Sequence, residues 1–209
     1  MSSKKSLGDY EKKRDFKKTN EPKPSDNDIN TNEYRFVVQE HHASILHFDF
    51  RLEYNGVMKR SIPKGPSLNP RDKRLAIMVE DHPIPYMNFE GKIPDGEYGA
   101  GCEVRTWDIG TYEPLDELDT NAGIEKGKLT FKLYGKKLQG EFHMIRSRFG
   151  SNQRANQWLL MKKKDEFADE NFVLERILNY GSRRDLQPST QGKRQRQSTS
   201  PKRTTKKRS

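Results

Sequence analysis

A chain of 209 residues, 31% hydrophobic and 33% charged, has material for one folded domain plus polar extensions, and it has no run of 18 apolar residues that would cross a membrane as a helix. A single cysteine, Cys102, excludes an internal disulfide and a zinc-finger cluster, and the N-terminus lacks the apolar stretch of a secretory signal, so a cytoplasmic protein is expected. The net charge of +10 is uneven: residues 181–209 hold ten Lys/Arg against one acid and carry +9, leaving +1 for the rest.

In chain order, residues 1–33 are rich in Lys, Asn, Asp and Pro and read as an extended polar arm. From Tyr34 the texture changes to short apolar or alternating runs bounded by turn residues: "YRFVVQE", "ILHFDFRLE", "LAIMVED", "CEVRTWD", "KLTFKLYG", "QGEFHMIRS" and "QWLLMKK". Such spacing predicts a mainly β protein, a compact antiparallel β-barrel over 34–180, with one or two short helices. "DEFADENFVLERILNYG", residues 165–181, is the best helical candidate. Residues 181–209, made of Ser, Gln, Thr, Pro, Lys and Arg, read as a disordered basic tail that would add salt-sensitive attraction to a polyanion.

The second run carries the chemistry. Strict alternation puts His47, Asp49 and Arg51 on one face and Phe48, Phe50 and Leu52 on the other. The apolar face reads as core. The polar face would be exposed and carries an unusual His-x-Asp-x-Arg. With His41 or His42, between which periodicity does not choose, two imidazoles and a carboxylate suit Mn²⁺, Fe²⁺, Co²⁺ or Zn²⁺. The plainer reading is a surface histidine beside a structural Asp–Arg pair.

In "KRLAIMVEDHP" the same parity aligns Arg74, Ala76, Met78, Glu80 and His82, with Glu80 placed to orient His82. The punctuated loop "IPKGPSLNP" fixes Lys64. Arg51, Lys64, Arg74 and His82 could converge on a phosphate, which needs several donors aimed at its oxygens. "IPDGEYGAG" lacks the Gly-Lys-Ser/Thr ending of a phosphate-binding P-loop and reads as a tight turn.

"FVVQEHHASILHFDFRLE", "IPKGPSLNPRDKRLAIMVEDHPIPYMNFEGKIPDGEYGAG", "WDIGTYEP", "GKLTFKLYGKKLQGEF" and "QWLLMKKKD" resemble the 3'-phosphoesterase domain of bacterial DNA ligase D and its free-standing relatives, in order over about residues 10–165. The resemblance implies a β-barrel that uses Mn²⁺, or else Co²⁺ or Zn²⁺, to remove a 3'-terminal ribonucleoside and then the 3'-phosphate from DNA. It implies His41, His47 and Asp49 as metal ligands, with Gln39, Glu40 and Ala43 matching the motif around the first histidine. Arg51, Lys64, Arg74 and His82 match phosphate-contacting positions, and Glu80 and Tyr86 further active-site positions. Arg14, Asp15 and Glu21 match functional residues of the family's N-terminal segment. Glu40 departs from the usual Lys, and "KRSIPKG" is one residue short and lacks a Trp.

The partners so implied are DNA 3' ends, including a primer–template with a terminal ribonucleotide or 3'-phosphate, and a separate DNA ligase and polymerase, for which the chain has no room. No membrane partner is expected. His82 would act as general acid or as charge stabiliser. Two other functions fit parts of the sequence. A non-catalytic nucleic-acid-binding barrel would rely on the basic tail. A non-haem iron oxygenase would combine His47 and Asp49 with His143, leaving His41 and Arg51 without a role.

Overall fold

Alternating residues with β-branched and aromatic side chains make ten strands in the described residues, and one sheet takes up all of them. The structure is a computed structural model, and it describes residues 7–24, 33–43, 45–54, 57–59, 64–115, 120–147 and 156–178. All belong to the unit Met1–Asn179; the second unit, Tyr180–Ser209, and with it the expected basic tail, lies outside the described residues.

The strands are β1 Arg35–His42, β2 Leu46–Tyr54, β3 Val57–Lys59, β4 Arg74–Ile77, β5 His82–Pro83, β6 Gly91–Ile93, β7 Gly101–Pro114, β8 Lys128–Gly135, β9 Gln139–Arg146 and β10 Gln157–Lys162. Two short helices, α1 Gly8–Lys12 and α2 Thr120–Lys126, and a 3-10 turn, Ile84–Asn88, complete the described elements. Every strand pair is antiparallel, in the order β4-β10-β9-β8-β7-β1-β2-β3-β5, with β6 paired to β7.

Connectivity forces this sheet to curl. In a flat sheet, eight steps of about 4.8 Å would part β4 from β5 by about 38 Å. Only residues 78–81 join them in the chain, a link that reaches about 18 Å at most. The expected barrel is therefore a strongly curled sheet whose two ends, β4 and β5, approach without pairing.

One face of the sheet holds the main core. Phe36 and Val38 of β1, Phe48, Phe50 and Leu52 of β2, Trp107, Phe131, Phe142 and Trp158 form one buried cluster. Full burial of each such side chain is worth roughly 1.5–3 kcal/mol, so this cluster is the main stabilising term.

Two expectations fail. Residues 7–24 are not an extended arm: Tyr10 of α1 is fully buried, its hydroxyl donates to the Pro22 carbonyl at 2.8 Å, and its ring meets Phe16, His82 and Tyr86. Tyr10 and Phe16, together with the buried Leu7 and the Arg14–Glu21 bond, hold this polar stretch in place. Nor is there a helix over the described part of 165–181. Asp165 accepts the backbone N–H groups of Glu141 and Phe167, Trp107 Nε1 donates to the Glu175 carbonyl, and the Ile177 N–H donates to Glu40. Phe172 and Leu174 pack on the core. These long-range bonds outweigh helix propensity and make the segment a strap; residues 179–181 lie outside the described residues.

Candidate metal centre

Antiparallel partners point to the same side of a sheet. In the β1–β2 register Val37 faces Arg51, Gln39 faces Asp49 and His41 faces His47, so the sides of both strands that point away from the main core share a row that is polar except for Val37. That row is not exposed, as alternation alone had suggested. Residues 7–24 and the 3-10 turn cover it, leaving Asp49 8% and Arg51 2% exposed.

His41, His47 and Asp49 each offer a ligand atom, and these atoms lie within 4.8 Å of one another. Asp49 Oδ2 is 3.7 Å from His41 Nδ1, and Oδ1 is 3.6 Å from His47 Nε2. His47 Nδ1 donates to the Ile45 carbonyl at 2.9 Å, which fixes the tautomer and leaves the Nε2 lone pair for a cation. Gly101 closes the other side of His41, where a Cβ would stand 2.9 Å from Nε2. His41 Nε2 is buried without a hydrogen-bond partner. Periodicity does not distinguish His41 from His42; in the structure His42 Nε2 meets Glu40 Oε1 at 2.7 Å on the opposite side, and His41 is the one grouped with His47 and Asp49.

The charges around this cluster keep its carboxylate ionised. Burial alone would push the Asp49 carboxyl up; the Arg51 guanidinium and the two imidazoles outweigh it and hold it well below the usual carboxylate range. Arg51 donates from Nη2 to Asp49 at 2.9 Å and from Nε to Gln39 at 3.1 Å, and its Nη1 is buried without a partner. Gln39 is fixed in turn by donating to the Tyr86 and Phe89 carbonyls. Two imidazoles, a carboxylate and an adjacent guanidinium with spare donor capacity make a set that fits a divalent cation and a phosphoryl oxygen.

The remaining residues divide in two. Arg14, Glu80, His82 and Tyr86 line the same cavity of about 220 Å³ as the cluster. Arg14 Nε donates to Glu21 at 2.9 Å, Nη1 reaches Glu80 at 3.4 Å, and Nη2 is 3.3 Å from His82 Nε2; Tyr86 donates its hydroxyl to Glu21 at 3.1 Å. His82 Nδ1 donates to the Glu80 backbone carbonyl at 3.0 Å, so its orientation comes from the main chain and not from the Glu80 carboxylate. Burial, then the charges of Arg51 and Arg14, lower the His82 pKa well below its ordinary value.

Lys64, Arg74 and Asp15 stand apart. Lys64 is exposed, Arg74 pairs with Asp72 at 2.6 Å, and Asp15 accepts the Lys17 N–H at 3.1 Å and pairs with Lys18; none of the three lines the cavity. The parity that aligned Arg74 with His82 ends because β4 stops at Ile77. His143 is on β9 beside Thr130 and Glu141, outside the metal-ligating group, so the oxygenase arrangement does not form. The sequence patterns do not single out Gln39 as a bridge, Lys13, which pairs with Glu80, Tyr98 at the cavity, or Gly101 against His41. A single aromatic among glycines, as in "GEYGAG", was the available signal for Tyr98.

Fold and site together define a class: a curled antiparallel β protein with a cavity where His41, His47 and Asp49 are grouped closely enough to hold a metal ion. The family model described as DNA Ligase D 3'-phosphoesterase domain matches residues 39–146, and the chain belongs to that family. It is 50% identical over 169 residues to the multifunctional non-homologous end joining protein LigD of Pseudomonas aeruginosa, covering 79% of this chain and 19% of that protein. The Mycolicibacterium smegmatis protein of the same name is 41% identical over 166 residues, 77% of this chain and 21% of its own length. The Mycobacterium tuberculosis non-homologous end joining DNA repair protein LigD is 37% identical over 169 residues, 80% of this chain and 21% of its own. The chain thus spans about a fifth of the length of these relatives.

Proposed function

We propose that this chain is a divalent-metal-dependent phosphoesterase acting on DNA 3' ends, which removes a 3'-terminal ribonucleoside and then the 3'-phosphate to leave a 3'-hydroxyl for end joining. The observation that carries the reading is the meeting of His41, His47 and Asp49 within 4.8 Å, beside a buried Arg51 with one unpartnered nitrogen. His41, His47 and Asp49 would hold the ion; Mn²⁺ suits this donor set, as do Co²⁺ and Zn²⁺. Bound there, a divalent cation would supply Lewis-acid neutralisation of phosphoryl charge.

The chain's own groups account for the rest. Arg51 offers Nη1 to a phosphoryl oxygen while Asp49 and Gln39 keep its plane fixed, so little reorganisation is needed as negative charge develops. Arg14 is held by Glu21 and Glu80 with His82 against its third nitrogen, which adds a second cation to the wall of the cavity. His82 is neutral, with its proton on Nδ1 bound to the Glu80 carbonyl and its Nε2 lone pair facing Arg14. This supports a positioning role for His82 over that of general acid. Lys64 and Arg74 would reach substrate from outside the cavity. A ligase and a polymerase are the proposed partners, consistent with the end-joining relatives.

The test is an end-trimming assay on a primer–template with one terminal ribonucleotide, titrated with Mn²⁺. Metal-dependent loss of the ribonucleoside followed by release of inorganic phosphate is expected. Absence of both at saturating Mn²⁺, Co²⁺ and Zn²⁺ would refute the reading.

A further inference from the structure

We propose that Tyr98 is the stacking platform for the base of the nucleotide that carries the scissile phosphate; this rests on the phosphoesterase reading and extends it to how the DNA end is held. Tyr98 lies between β6 and β7, three residues before Gly101, the residue that abuts His41. Gly96 and Gly99 flank it at φ of 91° and 79°, a backbone that side-chain-bearing residues rarely adopt, so the loop's shape is set by glycine.

The ring lines the same cavity as the His41, His47 and Asp49 cluster, yet 49% of the residue is exposed. Tyr86, the other tyrosine on that wall, is 3% exposed, and Tyr10, which packs against Tyr86, is 0% exposed. Tyr98 is therefore the ring of this group that the fold leaves to solvent. It is held in place by Lys13, whose Nζ is 4.5 Å from the ring centroid and 3.5 Å from the hydroxyl, and which Glu80 anchors at 3.2 Å.

The dimensions say what the ring could meet. The cavity of about 220 Å³ is smaller than the roughly 300–1,000 Å³ that encloses a whole drug-sized ligand. With a phosphate at the cluster and its sugar filling the space behind, the attached base must emerge at the mouth. A half-exposed, immobilised tyrosine at that position is a π-face for any base, which gives affinity for a nucleic-acid end without sequence preference.

The test compares short single-stranded oligonucleotides ending in a 3'-phosphate, the last nucleotide carrying either a base or an abasic deoxyribose. The wild-type chain should favour the base-bearing end by about tenfold in kcat/KM, mostly through KM. In Tyr98→Ala the ratio should fall to about one, and in Tyr98→Phe, which keeps the ring, it should persist. A wild-type ratio in Tyr98→Ala, equal slowing on both ends, or no base preference in the wild type would overturn the proposal. Absence of phosphate release from either end by the wild-type chain would instead reject the phosphoesterase reading on which it rests.

Discussion

His41 and His47 face each other as a Cα pair across β1 and β2 with ring centroids 4.6 Å apart, while the adjacent His42 turns to the opposite side and meets Glu40. Two neighbouring histidines thus have different surroundings, and unrelated roles are expected of them. His41→Ala should lower Mn²⁺-dependent phosphate release at least about a hundredfold with little loss of folding. His42→Ala should keep most of that activity and instead cost about 1–3 kcal/mol, because the buried Glu40 carboxylate loses a partner. Activity assays paired with urea unfolding distinguish the two; the reverse pattern would mean that the wrong histidine is assigned.

A second expectation concerns residues 7–24. The Arg14 and Glu21 side chains are 3% and 0% exposed and bond at 2.9 Å. Removing one partner of a buried pair leaves an uncompensated charge, at a cost of about 3–5 kcal/mol. Arg14→Ala should show that loss in chemical denaturation, and Arg14→Ala combined with Glu21→Gln should recover part of it. Additive losses in the double variant would show that the pair is not coupled.

The third concerns His82, which is faced by Arg14, Arg51 and Asp49 as well as by the Glu80 carbonyl. Its pKa is lowered well below the ordinary 6.5 by burial and the two arginines. An unfolded chain takes up a proton at this histidine near that value, whereas the native chain does not. This contribution to stability is therefore complete above pH 6.5 and declines as pH falls toward the folded value. The His82 ring resonances should not titrate between about pH 6 and 8 by NMR; an inflection near 6.5 would contradict the neutral assignment.

How much of this was legible in the sequence depends on range. The alternation in "LHFDFRLE" fixed which side chains of β2 share a face, and Phe48, Phe50 and Leu52 are core as it implies. "KLTFKLYG" matches β8, Lys128–Gly135, residue for residue. Period alone does not state what covers a face: it implies an exposed His47 side, where Asp49 and Arg51 are buried and His47 is half-buried. Nor does it say where a strand stops: β4 ends at Ile77, and Arg74 and His82 consequently part. The strap over 165–178 has an apolar spacing that imitates a helix, while the bonds that decide its shape reach to Trp107, Glu40 and Glu141, far away in the chain.

A fourth expectation tests the frame and not the site. Asp108, 3% exposed, accepts the backbone N–H groups of Ile109, Lys136, Lys137 and Leu138 at 2.8–3.2 Å, which closes the β8–β9 turn onto β7. Hydrogen bonds to a charged acceptor are each worth about 1.5–3 kcal/mol. Asp108→Ala should lose about 3 kcal/mol or more in urea unfolding and leave the affinity for Mn²⁺ near wild type. A loss below about 1 kcal/mol would show that this turn does not depend on the carboxylate.

The central claim is that His41, His47 and Asp49 hold one divalent ion, and calorimetric titration of the full chain with Mn²⁺ tests it most directly. One ion per chain is expected, with binding lost in His47→Ala and in Asp49→Asn while both variants still unfold cooperatively. One ion bound with unchanged affinity in both variants would contradict the account.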